Sequence, residues 1–197
     1  MENIQYNQQR YNRKKQWYRI RFGIQQLFNY PLLNLIWILY GIGVLLLVLF
    51  EQKLVSGFDV IPILEPVFRG CMHLSVILLA VFSALAIVQL IGTIRARDDE
   101  ADICTVFFDR RGIENQSPIL ISKKTINRKI TVREFYTSIP MKLWRERQED
   151  ICDRMSIRLV GDIEYGGKHH NIGNRIIIKS VEGRKPKERR VLYDDDL

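Results

Sequence analysis

The segment Gly161 to His170, GDIEYGGKHH, gathers glycines, a lysine and two histidines, the residue types from which phosphate cradles and metal sites are built. A Walker-type loop with Gly167 and Lys168 as its Gly-Lys pair would need glycine at 162 and a hydroxyl at 169, but Asp162 and His169 stand there. A strand, not a helix, follows it, so the segment reads as a hairpin turn. His169 and His170 are neighbours whose side chains diverge, and no cysteine or further histidine nearby completes a metal set. The many Asp and Glu residues lie in charge-mixed stretches and pair no nucleophile with a base. No catalytic, metal or cofactor residue is therefore assigned, and this chain is not expected to be an enzyme by itself.

What remains is cationic chemistry. Arg184, Lys185, Lys187, Arg189 and Arg190 form a basic run near the end that could neutralise nucleic-acid phosphates, and Lys123, Lys124, Arg128 and Lys129 form a smaller one. No aromatic residues interleave with either run to stack bases. Arg13, Lys14, Lys15, Arg19 and Arg21 are candidates for contact with anionic lipid headgroups. The net charge of +8 is concentrated toward the start, where residues 1–30 hold six Lys or Arg against one Glu.

Two apolar runs explain that placement. Leu32 to Phe50 is 19 residues with Asn34 as its one strongly polar member, and Cys71 to Ile94 is 24 residues without a formal charge. At about 1.5 Å per residue each is long enough to cross a hydrocarbon layer of about 30 Å. A tandem pair with a short link reads as a transmembrane hairpin. Basic residues lie outside the pair, with Arg95 and Arg97 following the second run, whereas the 19 residues from Glu51 to Arg69 hold only Lys53 and Arg69. By the positive-inside rule both termini are cytoplasmic and the 19-residue loop faces outward. The first run reads as an uncleaved anchor, being too long and too far from the start for a cleaved signal.

The other elements follow from periodicity. Residues 1–30 form a basic arm in which Trp17, Ile20, Ile24, Leu27 and Phe28 recur at helical spacing, predicting an amphipathic helix on the inner leaflet or, alternatively, one packed on the soluble domain. Residues 31–94 form the hairpin, with an irregular or interfacial loop around Gly57, Pro62 and Pro66. His73 and the other polar residues of the second run read as packing rather than transport, since two helices enclose no pore. Residues 95–112 predict a helical stalk continuing the second span, with Gly112 as its cap. Residues 113–182 predict a small cytoplasmic α+β domain. Its strands lie at 118–122, 129–137, 156–160 and 175–181, and a helix starting at Pro140 bears Leu143, Trp144, Ile151 and Met155 on one face, a candidate assembly face. Residues 183–197 read as a charged linker or tail. Cys71, Cys104 and Cys152 show no paired spacing and are expected to stay reduced.

The order of these parts resembles the region preceding the motor in FtsK/SpoIIIE-type DNA translocases, above all the coupling proteins of conjugative elements. The likeness runs through Arg111-Gly112-Ile113-Glu114-Asn115, Pro118-Ile119-Leu120, and Val132 to Val181 with Glu134, Ile139-Pro140, Trp144, IRLVGDIEYGG and NIGNRIIIKSV, and YDDDL at 193–197 is similar to the start of the linker into the motor. The motor's Walker residues have no counterpart here, so no ATP-binding residue is carried over. The resemblance implies a membrane anchor and pre-motor adaptor, either leading a longer translocase or working beside a motor in trans. Its implied partners are membrane lipid, further copies of itself, an FtsK/SpoIIIE-type ATPase or conjugation proteins, and DNA. The rival expectation is a two-span receptor or regulatory protein whose cytoplasmic domain binds another protein, including a type VII-like secretion component.

Overall fold

Pro31 sets the first bend of the chain: its missing N–H and fixed φ suit the first position of a helix, and a 3₁₀ turn, Pro31–Asn34, separates α1 (Glu2–Asn29) from α2 (Leu35–Gly57). The computed structural model describes residues 2–57, 61–107, 117–126, 129–167 and 172–183. They form two compact units, Met1–Asp98 and Asp99–Leu197, with α3 (Glu65–Phe107) supplying residues to both. The fold is α+β, two long apolar helices followed by a small antiparallel sheet domain.

The connection between the apolar runs is more helical than its glycine and prolines suggest. Glu51–Gly57 belongs to α2 and Glu65–Arg69 to α3, which leaves a turn at 61–64 in the described part. Pro66 falls in the first turn of α3, where no helical N–H is lost, so it starts the helix instead of breaking it. Pairing with Arg69 one turn on, Glu65 places negative charge at the same N-terminus.

In the second unit β1 (Ile119–Ile126), β2 (Ile130–Tyr136), β3 (Ile157–Leu159), β4 (Glu164–Tyr165) and β5 (Arg175–Glu182) form one antiparallel sheet ordered β1-β2-β5-β3, with β4 also paired to β5. Pairing β4 to β5 accounts for the middle of the glycine-rich segment, and Gly161, Gly166 and Gly167 make its turns at positive φ. Lys168, His169 and His170 lie outside the described residues, as do Arg128 and the Arg111 to Asn115 stretch with the Gly112 cap. The helix expected from Pro140 is two short ones, α4 (Met141–Glu146) and α5 (Gln148–Arg154). They part at Arg147, whose guanidinium donates to the carbonyl of Val106 in the last described turn of α3.

Strand alternation decides which side of the sheet is covered. Thr131, Arg133 and Phe135 share one face with their partners Ser180, Ile178 and Ile176. Ile103 of α3, Trp144 of α4 and Ile151 of α5 are fully buried with Phe135, Ile176 and Ile178, and the Trp144 ring lies 4.6 Å from Phe107 and 6.1 Å from Phe135 between centroids. Charge locks the same face: Asp99, 7% exposed, meets Lys123 at 2.6 Å and Arg133 at 3.3 Å, and Glu100 accepts the backbone N–H of Leu120 at 2.7 Å. Arg133 in turn donates to Ser180 on β5 at 2.7 Å. Removing one partner of a buried ion pair strands the other charge, so Asp99→Ala should destabilise the sheet domain by about 3–5 kcal/mol. Denaturant unfolding in detergent of the full chain carrying Trp17→Phe and Trp37→Phe, followed through Trp144 emission, measures it; a change within ~0.5 kcal/mol would rule out that role.

Candidate functional site

Glycine permits the tightest contact of the first unit. A Cβ on Gly23 of α1 would collide with the carbonyl oxygen of Val88 on α3, and a Cβ on Gly92 with the carbonyl oxygen of Arg19. The two backbones thus touch as small-residue helix crossings do. Phe22 and Gln26 are buried on the same side of α1, and the Arg95 guanidinium lies 5.1 Å from the centroid of the Tyr30 ring, just past the end of α1. Of the five candidate lipid residues, Arg19 is 4% exposed inside this crossing, so it is withdrawn from a free headgroup surface, whereas Arg13 and Arg21 are exposed and Lys14 and Lys15 half-buried. The apolar positions read as one face divide differently as well. Trp17, Ile24 and Phe28 are exposed, because the helix turns Arg19, Phe22, Gly23 and Gln26 toward α3 instead.

Both apolar helices are long enough and apolar enough to cross a membrane, with 0% of the apolar window of α2 and 6% of that of α3 buried. A core helix of a soluble domain would bury most of such a window. They are tied at two levels: the Tyr40 hydroxyl donates to the Ala80 carbonyl, and the imidazole Nδ1 of His73 lies 2.7 Å from Oε1 of Glu51, which is 3% exposed. That contact has the length of an ion pair without the alignment of a directed hydrogen bond. His73 is thus an inter-helix tie, as its packing role suggests.

In the sheet domain the assembly face read from α4 and α5 is largely spent on the core. Trp144 and Ile151 are completely buried, Met155 is half-buried, and Leu143, 40% exposed, is the open member of the four. Helical spacing marks a buried face without saying what buries it, and here the rings of Phe107 and Phe135 lie against Trp144. The first basic run is also partly neutralised, since Lys123 pairs with Asp99, leaving Lys124 and Lys129 exposed. Arg184, Lys185, Lys187, Arg189 and Arg190 lie outside the described residues.

A surface that the sequence reading missed is the other side of the sheet. Register places Lys124, Val132 and Lys179 in one cross-strand row and Ile126, Ile130, Val181 and Arg158 in the next on the same face. These positions are exposed or half-buried. Nearer the centre of this face Glu134 pairs with Arg175 at 3.1 Å, and Lys179 pairs with Glu164. The result is an aliphatic strip edged by cations. The alternation in KITVREFYT was the available signal, but both of its faces mix apolar and charged residues. Among the described residues no three His, Cys, Asp or Glu side chains converge as a metal site would require.

No protein-family profile matches the sequence, and no curated protein does. Among solved structures the chain is similar to the pCW3 conjugation coupling protein TcpA, in its monomer form with ATPγS, at 24% identity and a TM-score of 0.35, over 45% of this chain and 25% of that one. The match thus spans about a quarter of that chain's length.

Two substitutions separate core from surface and test the crossing. Trp144→Ala should cost about 3–5 kcal/mol in the same denaturant titration, read by circular dichroism, whereas Leu143→Glu should change stability by less than ~1 kcal/mol. Gly92→Leu should lower the melting temperature of the detergent-solubilised chain and speed tryptic cleavage within 10–21, even though leucine is the better helix former by about 1 kcal/mol. A higher melting temperature would show that propensity outweighs the crossing.

Proposed function

We propose that this chain is a membrane anchor and pre-motor adaptor of a DNA translocation or conjugative DNA-transfer system. The observation that carries the reading is that one helix, α3, contains the second apolar stretch and, at residues 99–107, part of the core and the ion-pair clasp of the sheet domain. An anchor needs that continuity of chain, because force on a membrane-held adaptor passes through whatever joins span to domain. The sequence resemblance supplies the kind of machine: an arm, a hairpin, then a strand, helix and two-strand unit in the order found ahead of FtsK/SpoIIIE-type motors.

In this reading α2 and α3 cross the cell membrane with both chain ends in the cytoplasm, consistent with basic residues on the outer flanks of the pair. The chain assembles with further copies of itself and with an FtsK/SpoIIIE-type ATPase or conjugation proteins, and the motor does the chemistry. The aliphatic strip of Ile126, Ile130, Val132 and Val181 is the docking side of the sheet domain, since no helix among the described residues packs on that face. DNA phosphates are met through Lys124, Lys129 and Arg158 on this domain and through Arg184, Lys185, Lys187, Arg189 and Arg190.

Affinity capture of the tagged full chain from its native membranes, with and without nuclease, tests the reading by mass spectrometry. A P-loop translocase or conjugation proteins should be recovered, and Ile126→Glu together with Val132→Glu should abolish recovery while leaving the chain in the membrane. A partner set without a motor and without nuclease-sensitive members would overturn it in favour of a receptor or regulatory protein.

A further inference from the structure

Helix α1 carries a second ordered stripe, on the side turned away from α3. Arg10, Arg13, Trp17, Arg21, Ile24 and Phe28 follow one another at intervals of three or four residues, which at 100° per residue keeps them on one line along the helix. All six are exposed, Trp17 by 68%, Ile24 by 45% and Phe28 by 85%. Arg19, Phe22, Gly23 and Gln26, the residues buried at the crossing, lie about half a turn away. The Gly23 and Gly92 contact therefore does more than join two helices: it fixes the rotation of α1 and leaves this stripe facing outward.

The stripe is graded along its length. Its end nearest Pro31, where the apolar segment Pro31–Lys53 begins, carries Ile24 and Phe28, Arg21 and Trp17 lie in the middle, and Arg13 and Arg10 lie furthest away. We propose that this stripe is a binding surface for the anionic phospholipid headgroup layer, holding α1 against the membrane that the hairpin crosses. The proposal rests on the membrane reading above and is independent of the DNA-transfer role. Charge and continuity select the occupant. Arginines are attracted to anionic leaflets, tryptophan prefers the boundary between headgroups and acyl chains, and Phe28 stands three residues before the apolar segment begins. A nucleic-acid backbone would answer the arginines but leave Ile24 and Phe28 against water or phosphate; lipid answers all six.

The test uses the full chain in proteoliposomes with Trp37→Phe, so that of the three tryptophans Trp17 and the fully buried Trp144 remain. Bromolipid is included in vesicles of phosphatidylcholine alone or of phosphatidylcholine with phosphatidylglycerol. The expected result is a blue shift and stronger quenching of Trp17 in the anionic vesicles. Arg10→Gln with Arg13→Gln and Arg21→Gln should lose that gain, and the three Lys substitutions at the same positions should keep it. Unquenched residual emission from buried Trp144 confirms that the variants are folded. Equal quenching in both vesicle types, or full quenching in the Gln variant, would overturn the proposal. So would a Trp17 response to duplex DNA on neutral vesicles in place of one to phosphatidylglycerol. A chain that enters the bilayer with Trp17 unquenched loses this inference alone, whereas one that does not enter overturns the membrane reading too.

Discussion

Two adjacent carboxylates on α3 hold the sheet domain to its helix. Consecutive helical residues point about 100° apart, so Asp99 and Glu100 reach different targets from one turn. Asp99 takes the side chains of Lys123 and Arg133 on β1 and β2, and Glu100 takes the backbone N–H of Leu120 where β1 begins. With β1 and β2 fixed from one side, Arg133 extends the chain of contacts to Ser180 on β5. Buried charges of this kind contribute little net energy when satisfied and cost several kcal/mol when broken. Their value here is orientation, since an apolar contact could slide where this one has a single register.

That orientation determines what the rest of the sheet presents. The side facing α3 is closed by Ile103, Phe107, Trp144 and Ile151, and the backbone break at Arg147 lets one guanidinium reach the Val106 carbonyl without removing Trp144 or Ile151 from the core. On the opposite side the outer rows of aliphatic residues with Lys124, Lys179 and Arg158 are left exposed or half-buried. Which rows of the sheet stay open thus follows from which face the helices take, not from any residue that would stand out by itself.

In the first unit the corresponding constraint is steric. Gly23 and Gly92 let two backbones meet at a distance that any side chain would forbid, and the stripe running from Arg10 to Phe28 faces outward because the other side of α1 is committed. At the far end of the apolar pair, Glu51 is buried beside His73, so polar residues there fasten one helix to the other.

Composition alone determined the two apolar helices, the α+β character of the remainder and the strand positions around 129–137 and 175–181, because a long uncharged run and a β-branched alternation each have one economical conformation. It also excluded the phosphate-loop reading of 161–170 through the absence of two required residue types. Tertiary structure decided the rest. Asp98, Asp99 and Glu100 are three acids in a row, yet Asp98 is exposed and the other two are buried. Trp144 and Ile151 look the same whether their cover is the chain itself or a second copy, and Phe107 and Phe135 settle it. Arg19 and Arg21 are two residues apart in an arm of uniform charge, but one is buried against α3 and the other is open. In each case periodicity specifies that a face exists, while only the packing of distant segments specifies what lies against it, and burial, pairing and exposure are properties of that contact.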